Sequence, residues 1–182
     1  VVTTSPEQAD QVRMVLEERH VRADLVVMEN RGRDILPFLR LAYRLRAEGE
    51  QLLLKLHTKR SPHRQDGELW RRELVASLAS HGRFHRIVAA FEQDPTLGMV
   101  APEGHVQPLS FYWGANADTT SYLATRMGIA APDQASDTFV AGSMFWTRME
   151  ALAPVLDAHL DEWEFEAEEG QVDGTFAHAV ER

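Results

Sequence analysis

The stretch Glu29-Asn30-Arg31-Gly32-Arg33-Asp34 constrains this chain more than any other. It follows the apolar run Leu25-Val26-Val27-Met28 and precedes Ile35-Leu36-Pro37-Phe38-Leu39. An apolar run, a polar glycine-containing turn and then an amphipathic run is how a strand feeds a helix in an α/β domain. Polar side chains at such a junction stand at the carboxyl edge of the strand, where open parallel sheets bind ligands. Two guanidinium groups around a glycine suit an anionic ligand, because Arg offers a planar fork of donors and glycine lets backbone approach closely. The bland alternative is that Asp34 caps the following helix and the arginines pair with surface acids.

The chain must supply the rest of such a site from 182 residues, a length suited to one domain with a proper core. The start on Val1-Val2-Thr3-Thr4 reads as a strand already under way, so a fragment of a longer chain is expected. No apolar run approaches the roughly 20 residues needed to span a bilayer. With no cysteine, disulfides, cysteine-based metal sites and cysteine nucleophiles are excluded, and a cytoplasmic location fits. The net charge of −9 argues against a general nucleic-acid binder. The charge is unevenly spread, however. From Glu29 to Arg72 there are eleven Lys and Arg against six acids; from Glu150 onward there are ten acids against one Arg. A basic middle in an acidic protein fits a local anion site, and equally fits two solvated faces of opposite sign.

Read in order, Ser5-Pro6-Glu7-Gln8 predicts a helix start, with Ser as cap and Pro in the first turn. Strand 24–28 and helix 35–47 flank the polar turn. The run 51–59 predicts a strand whose second half puts Lys55, His57 and Lys59 on one side. A basic loop with Arg60, Ser61 and His63 follows, then helices over 68–80 and 83–93, a short strand over 97–101 and an irregular stretch over 103–117. Helix 119–127 and a connector lead to one strand over 138–146. Thr147-Arg148-Met149-Glu150 reads as a capping box opening a helix that Pro154 restarts. Residues 161–169 read as an acidic surface segment, and Asp173 as the cap of a terminal helix. This alternation predicts an α/β fold with a mostly parallel sheet and helices on both faces.

Lys55, His57 and Lys59 with the following basic loop form a cationic strand end able to hold a diphosphate; an edge strand guarded by lysines is the alternative. Zinc sites from His57 with His63, or His81 with His85, are poorly recommended by spacing. Gly142-Ser143-Met144-Phe145-Trp146 lacks the second glycine of a Gly-x-Ser-x-Gly nucleophile elbow. Its small residues and Trp146 could instead floor a sugar pocket, or simply pack as a strand end.

Together these pieces resemble the rhamnan synthesis protein F family, glycosyltransferase-like domains of bacterial cell-surface and cell-wall polysaccharide biosynthesis. The resemblance is carried by residues 29–39, Lys55-Leu56-His57-Thr58-Lys59-Arg60-Ser61, Trp70-Arg71, 97–102, 141–146 and 173–182. It implies a Rossmann-like, GT-A-like glycosyltransferase fold binding a nucleotide-diphosphate sugar, with dTDP-rhamnose as donor and a growing, lipid-linked glycan as acceptor. It implies work at the inner face of the membrane, with membrane contact only through the acceptor or through regions outside this chain. Folds of this kind carry an Asp-x-Asp metal motif where this chain has His57-Thr58-Lys59, so metal independence is expected. Asn30, Arg31, Gly32, Arg33, Asp34, Lys55, His57 and Lys59 would then surround the donor diphosphate. Gly142, Ser143 and Trp146 would border the acceptor, and Asp173 would be the base of an inverting transfer. The other reading is a non-catalytic glycan- or nucleotide-sugar-binding module of a larger assembly protein.

Overall fold

A computed structural model describes residues 1–58 and 67–182, with the side chains of 67–71 left outside the description. Lys59, Arg60, Ser61 and His63 therefore lie outside the described residues. The first unit is β-α-β: β1 (Val2–Thr4), a 3₁₀ turn, α1 (Ala9–Glu18) and β2 (Leu25–Val27), with β1 and β2 paired in parallel. Ser5 makes no side-chain cap on the turn that follows it. The polar turn then leads into α2 (Ile35–Ala47), whose Ile35, Leu36, Leu39 and Ala42 are buried on one stripe.

The next strand, β3 (Leu52–Lys55), is shorter than its apolar pattern suggests and stops before His57. Helices α3 (Gly67–Ala79) and α4 (His81–Gln93) carry the chain to β4 (Met99–Val100). Within the stretch expected to be irregular lie β5 (Val106–Pro108) and α5 (Leu109–Tyr112), followed by a 3₁₀ turn and α6 (Ala117–Met127). The stretch 138–146, read as one strand, is two: β6 (Thr138–Val140) and β7 (Phe145–Arg148). Gly142 (φ 85°) and Ser143 (φ 56°) lie in the left-handed region between them and break the strand. The remainder is α7 (Ala153–Asp157), with Pro154 in its first turn, and α8 (Phe176–Glu181).

That break overturns the expected sheet. β7 lies between β3 and β4 and runs antiparallel to both, while β5 and β6 form a separate antiparallel pair. Only β1 and β2 pair in parallel among the described residues. The strand–helix alternation does give β3 and β4 the same direction, but they are not neighbours, because a later strand occupies the space between them. The chain is thus mixed α/β with small, mostly antiparallel sheets.

Helices on both faces do hold. Alternation along β3 sends Leu53 into a core with α2, α6, α7 and α8, and Leu52 and Leu54 into a second core against α3 and α4. Two expected capping roles are replaced. Thr147 is fully buried within β7, where its hydroxyl donates to the Gly98 carbonyl, and it starts no helix. Thr175, not Asp173, caps α8, with its hydroxyl accepting from the His178 N–H.

The 161–169 segment also differs from its reading as surface. Phe165 is wholly buried against Phe176, and Glu166 accepts the Phe176 N–H at the start of α8. The polar turn closes on this segment through the Gly32 N–H to the Glu166 carbonyl (3.0 Å) and the Glu168 N–H to the Asn30 carbonyl (3.1 Å). Gly32 has φ 63°, and a Cβ there would lie 2.6 Å from Leu36 Cβ and 2.8 Å from the Phe165 ring. Left-handed backbone costs a non-glycine residue about 1–2 kcal/mol, and the overlap adds to that. Gly32→Ala is expected to destabilise the protein by about 2 kcal/mol or more, read as a lowered urea midpoint at unchanged m-value.

Candidate functional site

The site is built around a buried ammonium. Lys55 ends β3 on the face of Leu53, and its stem runs between the rings of Phe38 and Phe145, 5.4 and 5.6 Å from Nζ. The residue is 5% exposed. Burying an ammonium is costly unless every N–H finds an acceptor and the charge finds a partner. Both conditions are met: Nζ donates to Asp34 Oδ2, to the Ser143 carbonyl (2.6 Å) and to Ser143 Oγ (2.6 Å). Asp34 therefore does not cap α2; it makes no capping bond and turns to Lys55 instead. Burial pushes the Asp34 carboxyl upward, but the charges of Lys55 and His57 and hydrogen bonds from Lys55 and Ser143 outweigh it, leaving the group below the usual carboxylate range.

Ser143 and Lys55 have the spacing of a Ser–Lys nucleophile pair. An ammonium already donating to a carboxylate and a carbonyl has no lone pair to accept a proton, and Ser143 is itself buried. The pair acts as a strut that holds the left-handed Ser143 turn. His57 lies at the edge of this cluster. Its Nε2 donates to the Gly142 carbonyl (2.8 Å) and stands 3.8 Å from Asp34 Oδ2.

The two arginines of the polar turn reach towards the C-terminal segment. Arg31 donates to the Phe165 carbonyl (2.5 Å) and Arg33, in left-handed backbone, to the Gln171 carbonyl (2.8 Å). Each such bond uses one NH1 nitrogen, and a guanidinium carries five N–H groups.

A second polar cluster surrounds Asp173. Its Oδ1 accepts from Asn116 Nδ2 (2.8 Å) and its Oδ2 from the Ala115 N–H (3.2 Å), while Arg182 stands 3.8 Å away. Burial raises this carboxyl, but the hydrogen bonds from Asn116, Ala115 and Gly174 hold it below its ordinary value. It is thus ionised at neutral pH, with its side chain still 35% exposed. His178 is pushed down by burial first and by Arg33 next, against the raising effect of Asp173 and Glu181. A neutral ring then accepts the Thr175 N–H at Nδ1. The two clusters share a border: Glu181 accepts the N–H of Gly142, whose carbonyl holds His57, and Arg182 follows Glu181 in sequence.

The description "Rhamnan synthesis protein F" matches residues 1–182, the whole chain. The chain belongs to the rhamnan synthesis protein F family. Two relatives, each named "Uncharacterized protein WxcX", from two strains of Xanthomonas campestris pv. campestris, are 50% identical over all 182 residues. The chain spans about a quarter (26%) of their length. No solved structure matches it.

Against the expectations for a member of this family, the structure brings Asp34, Lys55, His57, Gly142 and Ser143 together, with Asn30, Arg31, Gly32 and Arg33 on the adjoining turn. Lys55 is not a surface cation offered to a ligand, because its three N–H groups are already engaged. Gly32 admits Phe165, not a ligand. Trp146 packs in the second core, 5% exposed, with its indole N–H on the Leu78 carbonyl (2.9 Å). Asp34 is bound to an ammonium and, among the described residues, no three His, Cys, Asp or Glu side chains gather around one point. Asn116, Glu181 and Arg182 escaped the sequence reading. Glu181 and Arg182 end the family-like stretch and carry no local motif, and Asn116 looks like any helix-start residue. No helix among the described residues is long and apolar enough to cross a membrane.

The Lys55–Asp34 pair makes a testable energetic claim. Lys55→Met or Asp34→Leu alone strands one partner and is expected to cost about 3 kcal/mol, whereas the double variant should lose far less than the sum. Because the folded pKa of Asp34 is depressed, its contribution is complete above the unfolded value of about 4 and is lost as pH falls through the folded one. Asp34→Leu should therefore weaken the acid limb of a stability–pH profile measured by chemical denaturation.

Proposed function

We propose that this chain is the nucleotide-sugar-handling part of a glycosyltransferase of polysaccharide synthesis, most specifically an inverting rhamnosyltransferase using dTDP-rhamnose. The observation that carries the reading is Asp173: an ionised, partly exposed carboxylate bordering a cationic rim, in a family named for rhamnan synthesis. The rim offers His57, Arg31 and Arg33, while Lys55 and Asp34 position His57 and the Ser143 turn. Fixed positive charge at the diphosphate stabilises the leaving group as negative charge develops on it.

In the transfer, the acceptor hydroxyl oxygen forms a bond to the sugar C1 as the bond from C1 to the phosphate oxygen breaks. The nucleoside diphosphate leaves with that electron pair, and the hydroxyl proton passes to the Asp173 carboxylate. A carboxylate of low pKa is a weak base, but the hydroxyl becomes acidic as its oxygen bonds to C1, so a late proton transfer suffices. No step passes through a metal ion.

Asp173→Asn keeps the size of the side chain and removes the base, at the cost of one of the two accepted hydrogen bonds. In the full-length protein it is expected to lower turnover by at least about a hundredfold, read as nucleoside diphosphate release, with nucleotide-sugar binding within about twofold of wild type. Unchanged turnover would remove Asp173 from the reaction. The internal engagement of Lys55, Arg31 and Arg33 favours a second reading, a non-catalytic glycan- or nucleotide-sugar-binding module. Binding of a nucleotide-sugar without diphosphate release, across candidate acceptors, would establish that one.

A further inference from the structure

The segment between β5 and α6, whose end binds Asp173, presents two aromatic side chains that nothing assigned so far uses. Phe111 is 80% exposed and Tyr112 39%, with ring centroids 5.0 Å apart in an edge-to-face arrangement. Leaving a phenylalanine ring in water forgoes roughly 1.5–3 kcal/mol of burial. The segment is nevertheless firmly held at both ends. Leu109 at its start is wholly buried, and its N–H donates to the Asp137 carbonyl (2.9 Å). Asn116 at its end is buried and binds Asp173 through its amide.

Between those anchors, Tyr112 packs its ring against Phe139 (5.5 Å), and the face of Phe139 carries the Arg182 guanidinium (4.5 Å). Arg182 Nε also donates to the Tyr112 carbonyl (2.9 Å), and the same guanidinium stands 3.8 Å from Asp173. Gly114 completes the arrangement: at φ 54°, a Cβ there would lie 2.0 Å from Asp173 Oδ2, so the segment's backbone closes directly on the carboxylate. One short segment thus holds two exposed rings at its apex and the hydrogen bonds to an ionised carboxylate at its end.

We propose that Phe111 and Tyr112 form a carbohydrate subsite, the platform on which the acceptor glycan lies with a hydroxyl directed at Asp173. A pyranose has an apolar C–H face and a polar rim. Exposed rings on a segment whose backbone meets a guanidinium and whose end binds a carboxylate offer a surface for the first and partners for the second. A 6-deoxy sugar, with a methyl group in place of a hydroxymethyl, fits such a ring better than a fully hydroxylated one. This inference rests on the glycosyltransferase reading for the acceptor's role, and replaces Trp146 as the aromatic side of the site.

The test is titration of the full-length protein with an α-linked rhamnose trisaccharide, followed by saturation-transfer NMR and by calorimetry. The expected result is binding that weakens about tenfold in Phe111→Ala and is retained in Phe111→Trp, with nucleotide-sugar affinity unchanged in both. An 80%-exposed ring has little to lose in stability, so the melting temperature should not move. Absence of trisaccharide binding by the wild type, or equal binding by Phe111→Ala, would overturn the subsite. Turnover is read separately. Phe111-dependent binding without nucleoside diphosphate release would contradict the transferase reading and leave the subsite standing, whereas transfer with an unchanged acceptor KM in Phe111→Ala would contradict the subsite alone.

Discussion

The buried ion pair between Lys55 and Asp34 is the contact on which the arrangement of this edge depends. An ammonium placed between two phenylalanine rings has one tolerable state, with all three donors occupied and a carboxylate alongside. Meeting that demand draws together the end of β3, the start of α2 and the turn between β6 and β7, three places far apart in sequence. It fixes a serine in left-handed backbone, which costs of order 1 kcal/mol without compensation. It also sets Gly142 where its carbonyl holds His57 and its N–H meets Glu181. The charge of Lys55 is spent inside the protein, so the cationic character of the rim falls to the arginines, with His57 beside them.

The opposite side of the edge follows a related logic with a different partner. Gly32 lets the Asn30–Gly32 turn close on Phe165, which packs on Phe176, while Glu166 accepts the first free N–H of α8. Helix α8 then delivers Glu181 to Gly142 and Arg182 to Asp173 and Tyr112. A displacement of the polar turn would therefore be felt at Asp173 through packing and hydrogen bonds of a single connected segment. That linkage is why a short C-terminal helix of six residues sits so near the chemistry proposed for this family member.

Much of this was legible in the sequence where local periodicity decides structure. Helix α2 was bounded correctly because its apolar stripe and the glycine turn before it agree. The grouping of Asp34, Lys55, His57 and Ser143 was legible only as a list, since nothing local says that Lys55 points inward to Asp34. The reading of 138–146 as one strand failed because Ala141-Gly142-Ser143 could continue a strand, whereas the left-handed Gly142 and Ser143, tied to Val140 and to Lys55, turn the chain there. The parallel sheet failed for the same reason, since β7 exists as a separate strand only after that reversal. Asp173 looked like a cap because helix starts favour Asp, yet the helix begins two residues later with Thr175 as its cap, and Asp173 turns to Asn116 and Ala115. Phe165 was lost among acids whose side chains face outward while its own fills the core.

We propose that this edge is a donor site whose positive charge comes from the rim and not from Lys55. A crystal structure of the full-length protein with a nucleotide-diphosphate sugar tests it most directly. The account predicts diphosphate oxygens within about 3 Å of His57 and of an arginine of the polar turn, with Lys55 still bound to Asp34 and Ser143. A diphosphate bound elsewhere, or a Lys55 that has left Asp34 to reach it, would contradict the account.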